Sequence, residues 1–416
     1  MRASEKDSHH LHHQEDPTPL QYPHTFDPGM QVSARFLFAL LVATLLLYLS
    51  AWPVPVTPVA WQTDPSAGYT GKHARNTRLS ALQRIEIGGH EGPEHVAFGP
   101  DGLLYAAVAA GRVLRMMPNG SELVVFAKTG GRVLGFDFDA SGRMIAADAV
   151  RGLLSIDREG SVRVLVDEFD GQPVRYADAV TVAPDGKIYF TDASQRFSPE
   201  DWGGTFEACM LDLLENSATG RVLVFDPFTG DVQLVAGGLS FPNGIVMTRD
   251  GGDLLVAETG RYRIWRIAAH ERGLDLRRPA STNELQARVI LDNLPGFPDN
   301  LVRGLEGRIW LGLVKPRTAA LDALASYPFL RKVAARMPRS LQPVPKPYGH
   351  VIAFNENGHV VADMQDPSGG YPEATSVTET TERLYVQSLH AHWLGWLPRV
   401  AMLSTEKSHA EERTCV

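Results

Sequence analysis

Four side chains that carry hard oxygen donors, Glu94, Asp178, Asn243 and Asp299, hold one place in a recurring phrase: GPEHVAF, YADAVTV, FPNGIVM and FPDNLVR. Each stands at the head of a run in which apolar residues alternate with small or polar ones, the period-2 pattern of a strand. Three carboxylates and an amide brought to one point make an all-oxygen site. Such a site suits Ca²⁺, which accepts about 6–8 oxygen ligands in flexible geometry, and Mg²⁺ or Mn²⁺ takes the same donor types. Without a cation the carboxylates repel one another in a partly dehydrated channel, and protonation or a metal must relieve that. Four protein ligands leave coordination positions open, so a cation there can polarise a carbonyl or phosphoryl oxygen and lower the pKa of a bound water. Asp299 is then placed to take a proton from that water or to attack as a carboxylate nucleophile. No Gly-x-Ser-x-Gly elbow occurs, and Cys209 lacks the sequence context of a nucleophile, which disfavours serine- or cysteine-hydrolase chemistry.

The elements that would position these groups repeat along the chain. A short apolar run, a turn ending in Gly and an alternating strand recur at residues 96–120, 136–160, 180–194 continuing in 220–230, 245–267, 301–314 continuing in 349–358, and 377–397. Asp-Gly or Ser-Gly closes the hairpin in several of them, because Gly takes φ > 0 at little steric cost. Six units of short strands, repeated radially, predict an all-β fold, a six-bladed β-propeller over residues 85–400. In such a ring the innermost strand of each blade begins near the central channel, so a residue just before it points into the tunnel. Two insertions, 195–219 and 315–348, lack the strand period and carry short helical patterns. In the second, Phe329, Val333 and Met337 recur every four residues, with Arg331, Lys332, Arg336 and Arg339 between them. That is an amphipathic, basic helix, suited to a lid on the tunnel mouth, to an anionic lipid surface, or to the outside of a blade.

The amino terminus differs from the rest. Residues 36–52 form a 17-residue stretch without charge, at the lower edge of the ~17–25 residues that span a bilayer. The long segment before it and the lack of a small-x-small cleavage site predict a transmembrane signal anchor. The expected organisation is a His-rich tail (1–35), the anchor (36–52), a linker (53–84), the propeller and a carboxy-terminal tail (401–416). The expected location is a single-pass membrane protein with its propeller on the periplasmic or extracytoplasmic side. Arg35 on one flank and Lys72, Arg75 and Arg78 on the other leave the charge rule for orientation undecided. His9, His10, His12 and His13 read as a solvated tail, with weak metal binding as the alternative. With 40 Lys+Arg against 48 Asp+Glu, a formal charge of −8, the chain has no basic field for nucleic acid. Its two cysteines, Cys209 and Cys415, cannot make a disulfide framework.

GPEHVAFGPDGLLY, LGFDFDASGRMIAADAVRGLLSID, ADAVTVAPDGKIYFTDAS, GRVLVFDPFTG, FPNGIVMTRDGGDLLVAET and GFPDNLVRGLEGRIWLG together resemble the strictosidine synthase-like family, over about residues 85–398. The resemblance implies a six-bladed propeller related to paraoxonases, gluconolactonases and diisopropylfluorophosphatase. Those use calcium or another divalent cation, such as Mg²⁺, Mn²⁺ or Zn²⁺, to hydrolyse lactones, aryl esters or organophosphates. It implies Glu94, Asp178, Asn243 and Asp299 as ligands, with Asn300 beside them. Where those relatives carry Asn followed by Asp, this chain has Asp178 followed by Ala179, so a second, structural calcium is not expected. The second blade reads LGFDFD where a paraoxonase histidine would stand, and His-assisted lactonase chemistry is not expected either. The glutamate that the synthases use has only Glu373 near its place. The functional expectation is a membrane-anchored, divalent-metal-dependent hydrolase of a small-molecule lactone or aryl ester. The alternatives are a non-catalytic, calcium-stabilised binding module and a synthase-type amine-lyase.

Overall fold

The computed structural model describes residues 33–278, 285–338, 341 and 345–403. The histidines at 9, 10, 12 and 13, together with Arg339 and Cys415, lie outside the described residues. The chain divides into two compact units, Met1–Ala51 and Trp52–Val416. The described part of the first is one helix, α1 (Ala34–Ala51), with no buried residue and a mean hydropathy of 2.0. Among the described residues it is the one helix long and apolar enough to cross a membrane.

The second unit is a six-bladed β-propeller. Six antiparallel sheets follow one another in chain order, five of them starting with an innermost strand and running outward. The innermost strands are His95–Phe98, Val133–Phe138, Ala177–Val182, Pro242–Met247, Gly296–Arg303 and Ala374–Glu379. Each touches the next, and the last touches the first, which closes the ring. The sixth blade takes its outermost strand from the other end of the unit. Gln83–Glu86 pairs antiparallel with Trp393–Trp396, Gln83 opposite Trp396. Blade 3 carries an extra two-residue strand, Leu274–Asp275, parallel to Val232–Leu239.

The second strands, such as Leu104–Val108, Met144–Asp148 and Ile188–Asp192, are buried at every position. Both their faces pack on neighbouring blades, so alternation gives way there to continuous apolar runs, as in any sheet covered on two sides. The hairpins turn where glycine was expected. Gly102 and Gly186 sit at φ +77° and +86°, a region that a side chain rarely occupies.

The insertions form helices. The first gives α2 (Pro199–Trp202), capped by the Ser198 hydroxyl accepting from the Asp201 amide, and α3 (Thr205–Glu215). The second gives α4 (Ala319–Leu324) and α5 (Pro328–Arg336), and α6 (Val400–Leu403) follows the last blade. The facing of α5 departs from the amphipathic expectation, although Val333 and Met337 of the apolar stripe are half-buried. Arg331 and Arg336 are 4 % and 8 % exposed, whereas Phe329 and Leu330 are 57 % and 44 % exposed. The cause is unsatisfied backbone: the Arg331 guanidinium donates to the carbonyls of Leu214, Glu215, Val59 and Ala325. The first two belong to the last turn of α3, where carbonyls lack helical partners and attract a cation. Residues between the helix α1 and the first blade strand pack onto this layer, the Val59 amide donating to Glu215 and the Trp61 amide to Ala325.

Candidate active site

The recurring phrase has a backbone cause. In blades 3 to 6 the innermost strand pairs at its first residue, skips two, and then resumes a regular ladder. Ala177 pairs with Asp192 and Val180 with Phe190; Pro242 pairs with Glu258 and Ile245 with Val256. In blade 5 the break falls between Pro298 and Leu301, and in blade 6 between Ala374 and Val377. The skipped residues are Asp178–Ala179, Asn243–Gly244, Asp299–Asn300 and Thr375–Ser376. Such a bulge re-aims a side chain and bends the strand, and Asp178, Asn243 and Asp299, the first residues of three of these pairs, line the cavity. Blade 1 supplies Glu94 just ahead of its strand, and blade 2 supplies Leu134. The close approach requires glycine at position 244. A Cβ there would lie 2.2 Å from the Leu301 amide nitrogen and 2.6 Å from the Asp299 carbonyl of the next blade.

Glu94, Asp178, Asn243 and Asp299 line one cavity of about 200 Å³, and Asn300 lies fully buried beside it. Asp299 Oδ1 accepts from the Asn300 amide at 2.9 Å, and Asn300 Nδ2 donates to the Glu94 carbonyl at 3.3 Å. The side-chain oxygens of Asn243 and Asn300 are buried without a partner. Burial pushes Asp178 far above the usual carboxylate range, and the charges of Asp299 and Glu94 push it further. Burial does the same to Asp299, with Glu94 the next cause, against one opposing hydrogen bond from the Asn300 amide. Buried acids that face one another shift up because the charged form has lost water and gained a like charge.

Glu94 differs from the other two. Its carboxylate lies 2.5 Å from the Arg132 guanidinium, a group from the link into blade 2 that the repeat pattern did not single out. Burial still raises Glu94, with Arg132 opposing. The pair is neutral as a unit, so the net charge left to neutralise is that of Asp178 and Asp299, the charge of one divalent cation. With the two orphaned amide oxygens, this donor set fits a hard cation.

Above these groups the cavity wall is apolar, formed by Tyr176, Phe206, Phe241, Tyr262 and Phe297 with the inner faces of α3 and α4. The Tyr176 hydroxyl donates to the Thr205 carbonyl at 2.9 Å and ties the first turn of α3 to blade 3. Cys209 also lines the cavity. Burial raises its thiol well above the ordinary value, with nearby carboxylates adding to the effect, so it is a neutral wall group rather than a nucleophile.

On the blade 5–6 side the cavity is lined by Lys315 and His390, which the sequence reading did not single out, with Glu373 beside them. Glu373, just ahead of the last innermost strand, is bonded to Lys315 Nζ and to His390 Nδ1. A histidine thus borders the cavity from the last blade, although the second blade has none. Its signal was weak: a lone HAH turn after a strand.

A second cluster lies elsewhere. His73 Nδ1 and His350 Nε2 stand 2.8 and 2.9 Å from the same Asp363 oxygen. Among the described residues, this is the one group of three His, Cys, Asp or Glu whose ligand atoms lie within 4.8 Å of one another. The tunnel carboxylates are spaced more widely. As built, the cluster latches the turn Gly71–His73 onto the outer strands of blade 5, and none of its members lines the cavity.

Comparison with known proteins follows the fold. Residues 71–116 match the family described as strictosidine synthase-like, N-terminal, and residues 178–272 match the strictosidine synthase family. The chain is 30% identical over 341 residues to strictosidine synthase-like protein 7 of Arabidopsis thaliana, covering 79% of this chain and 84% of the relative. It is 29% identical over 390 residues to an adipocyte plasma membrane-associated protein of Danio rerio, covering 88% and 89%. Among solved structures, a gluconolactonase from Xanthomonas campestris superposes with a TM-score of 0.52 at 19% identity, covering 82% of this chain and 96% of that one.

Proposed function

Because the chain belongs to the strictosidine synthase-like family and sets buried acids at the floor of an apolar cavity, we propose that it is a membrane-anchored, divalent-cation-dependent hydrolase of lactones or aryl esters. The observation that carries this reading is the pairing of two buried carboxyl groups that lack a counter-charge with two buried amide oxygens that lack a donor, all around one cavity. Asp178, Asn243 and Asp299 would hold the cation, with Asn300 beside them and with Glu94 shared between it and Arg132. A cation held there would draw electron density from the carbonyl of an ester. Arg132 Nη1 is buried without a partner and lines the same cavity, so it is the protein's own donor for the carbonyl oxygen as charge develops on it. The aromatic wall takes the apolar body of the substrate and excludes water from the bond to be cut. Lactone cleavage is the activity named for the gluconolactonase neighbour, and a plasma-membrane location is named for the Danio rerio relative. Both agree with this reading, as does the length and composition of α1.

The test is hydrolysis of aliphatic lactones, phenyl acetate and an organophosphate by the full chain in detergent, with calcium and with chelator. Turnover of at least one class that chelator removes and calcium restores is the expected result. A protein that binds calcium tightly, melts higher with it, and turns over none of them is instead a calcium-stabilised binding propeller.

A further inference from the structure

His390 sits in the turn between the second and third strands of the last blade, Arg383–Ser388 and Trp393–Pro398. The turn is fixed by Ser388, whose hydroxyl donates to the Pro372 carbonyl at 2.7 Å and accepts from the Ala391 amide at 3.1 Å. Across from it stands Glu373, a non-glycine residue at φ +56°. That left-handed conformation is disfavoured for a residue with a side chain, and here it accompanies a carboxylate held by two charged partners. The Glu373 carboxylate bridges two groups. One oxygen takes the ammonium of Lys315, at the end of a blade 5 strand, and the other takes His390 Nδ1. The Phe206 ring of α3 meets the imidazole edge-on at 6.2 Å and lies 6.0 Å from the Lys315 ammonium.

This bonding settles which ring nitrogen is free. An imidazole whose Nδ1–H is held by a carboxylate presents Nε2 as the acceptor. His390 Nε2 has no hydrogen-bond partner among the described residues, and the ring lines the cavity that holds Glu94, Asp178 and Asp299. A carboxylate–imidazole pair at the solvent-open rim of that cavity, its outer nitrogen without a protein partner, is built for proton transfer. Asp299 is less suited to that task, because its basic oxygens are spent on a cation whenever it is ionised.

We propose that His390 is the proton-transfer residue of this site, that Glu373 positions it, and that the substrate is an ester or lactone with a bulky apolar body. The assignment rests on the hydrolase reading and moves the base from Asp299 to the last blade. In the step it performs, a water oxygen forms a bond to the carbonyl carbon while one water proton passes to His390 Nε2. The carbonyl π pair moves to oxygen. When that pair returns, the carbon–oxygen bond to the leaving group breaks, and the leaving oxygen takes the proton back from Nε2. The products are an acid and an alcohol, or one hydroxy acid from a lactone, and the imidazole ends neutral. The groups that face His390 are Glu373, Glu91 and Glu94, with Lys315 sharing Glu373. The Glu373 hydrogen bond raises its pKa above the ordinary value against the effect of burial, so the neutral base forms as pH rises through that value.

The experiment uses the full chain in detergent with calcium and phenyl acetate, measuring kcat and KM from pH 5 to 9. His390→Ala is expected to lower kcat about 100-fold or more with little change in KM, and added imidazole is expected to restore part of it. Glu373→Gln is expected to move the acid limb of the profile to lower pH, since the anion that raises the histidine is gone. An NMR titration of His390 in the wild type and in Glu373→Gln reads that shift without turnover. Wild-type activity retained in His390→Ala, or a His390 titration unmoved by Glu373→Gln, overturns this assignment and leaves the hydrolase reading standing. A wild type that binds calcium and hydrolyses no ester or lactone overturns both.

Discussion

The Arg132 guanidinium lies 2.5 Å from the Glu94 carboxylate at the tunnel floor, so of three converging acids only Asp178 and Asp299 lack a counter-charge. Replacing Arg132 by Met leaves Glu94 buried and unpaired, a loss of about 3 kcal/mol or more for a pair of this kind. The loss is expected in chelator and should shrink in calcium, because Glu94 then turns its charge to the cation. Thermal melts in the two buffers check this, and an equal loss in both would show that Glu94 does not face the cation.

The pH dependence of the cation-free protein follows from Asp178 and Asp299. Burial raises both in the folded chain, so above the unfolded carboxylate value of about 4 the folded state holds more protons than the unfolded one, and stability falls as pH rises. A divalent cation removes that penalty. Calcium should therefore raise the melting temperature more at pH 8 than at pH 5, and an increment that does not change with pH would refute the coupling.

Asp299→Asn removes one ligand charge and Asn243→Ala removes one orphaned oxygen. Both should weaken calcium binding in calorimetry, and Asp299→Asn should lower turnover at limiting calcium in step with the lost binding. Full activity in Asp299→Asn would take that residue out of the site.

Gly244→Ala puts a methyl group 2.2 Å from the Leu301 amide nitrogen. Backbone of the neighbouring blade cannot yield as a side chain does, and overpacking of this order destabilises by about 1–3 kcal/mol. A denaturant melt unchanged from wild type would mean that blades 4 and 5 can slide apart there.

Arg331→Met orphans the carbonyls of Leu214 and Val59 and takes one of two donors from those of Glu215 and Ala325, which the Val59 and Trp61 amides still reach. Each buried carbonyl left unpaired costs about 1–3 kcal/mol, and the loss falls on the α4–α5 layer rather than on the blades. Limited proteolysis should cut between residues 315 and 348 sooner than in wild type, with the propeller fragment intact.

The ring of six blades was legible because its signals are local: glycine turns, short apolar runs and one phrase repeated at the head of four innermost strands. The floor of the cavity was legible for the same reason, since Glu94, Asp178, Asn243 and Asp299 share a position in the repeat. What was not legible depends on partners far away in sequence. The facing of α5 is decided by carbonyls of Leu214 and Glu215, more than a hundred residues upstream, which outbid the apolar stripe. Arg132 lies between repeats, so no period points to it. His390 and Glu373 are ordinary turn residues until the closing blade brings them together, and the four-residue strand Gln83–Glu86 carries no pattern long enough to read.

That strand also sets an order of assembly. Gln83 is made long before Trp396, yet the two are paired neighbours. During synthesis from the amino terminus, Gln83–Glu86 waits unpaired until Trp393–Trp396 is made. A nascent chain stopped before Trp393 would expose an open sheet edge at each side of the gap, the surface that invites pairing with another copy. The same closure makes the ring depend on both strands, since a chain that lacks either one cannot complete the last blade.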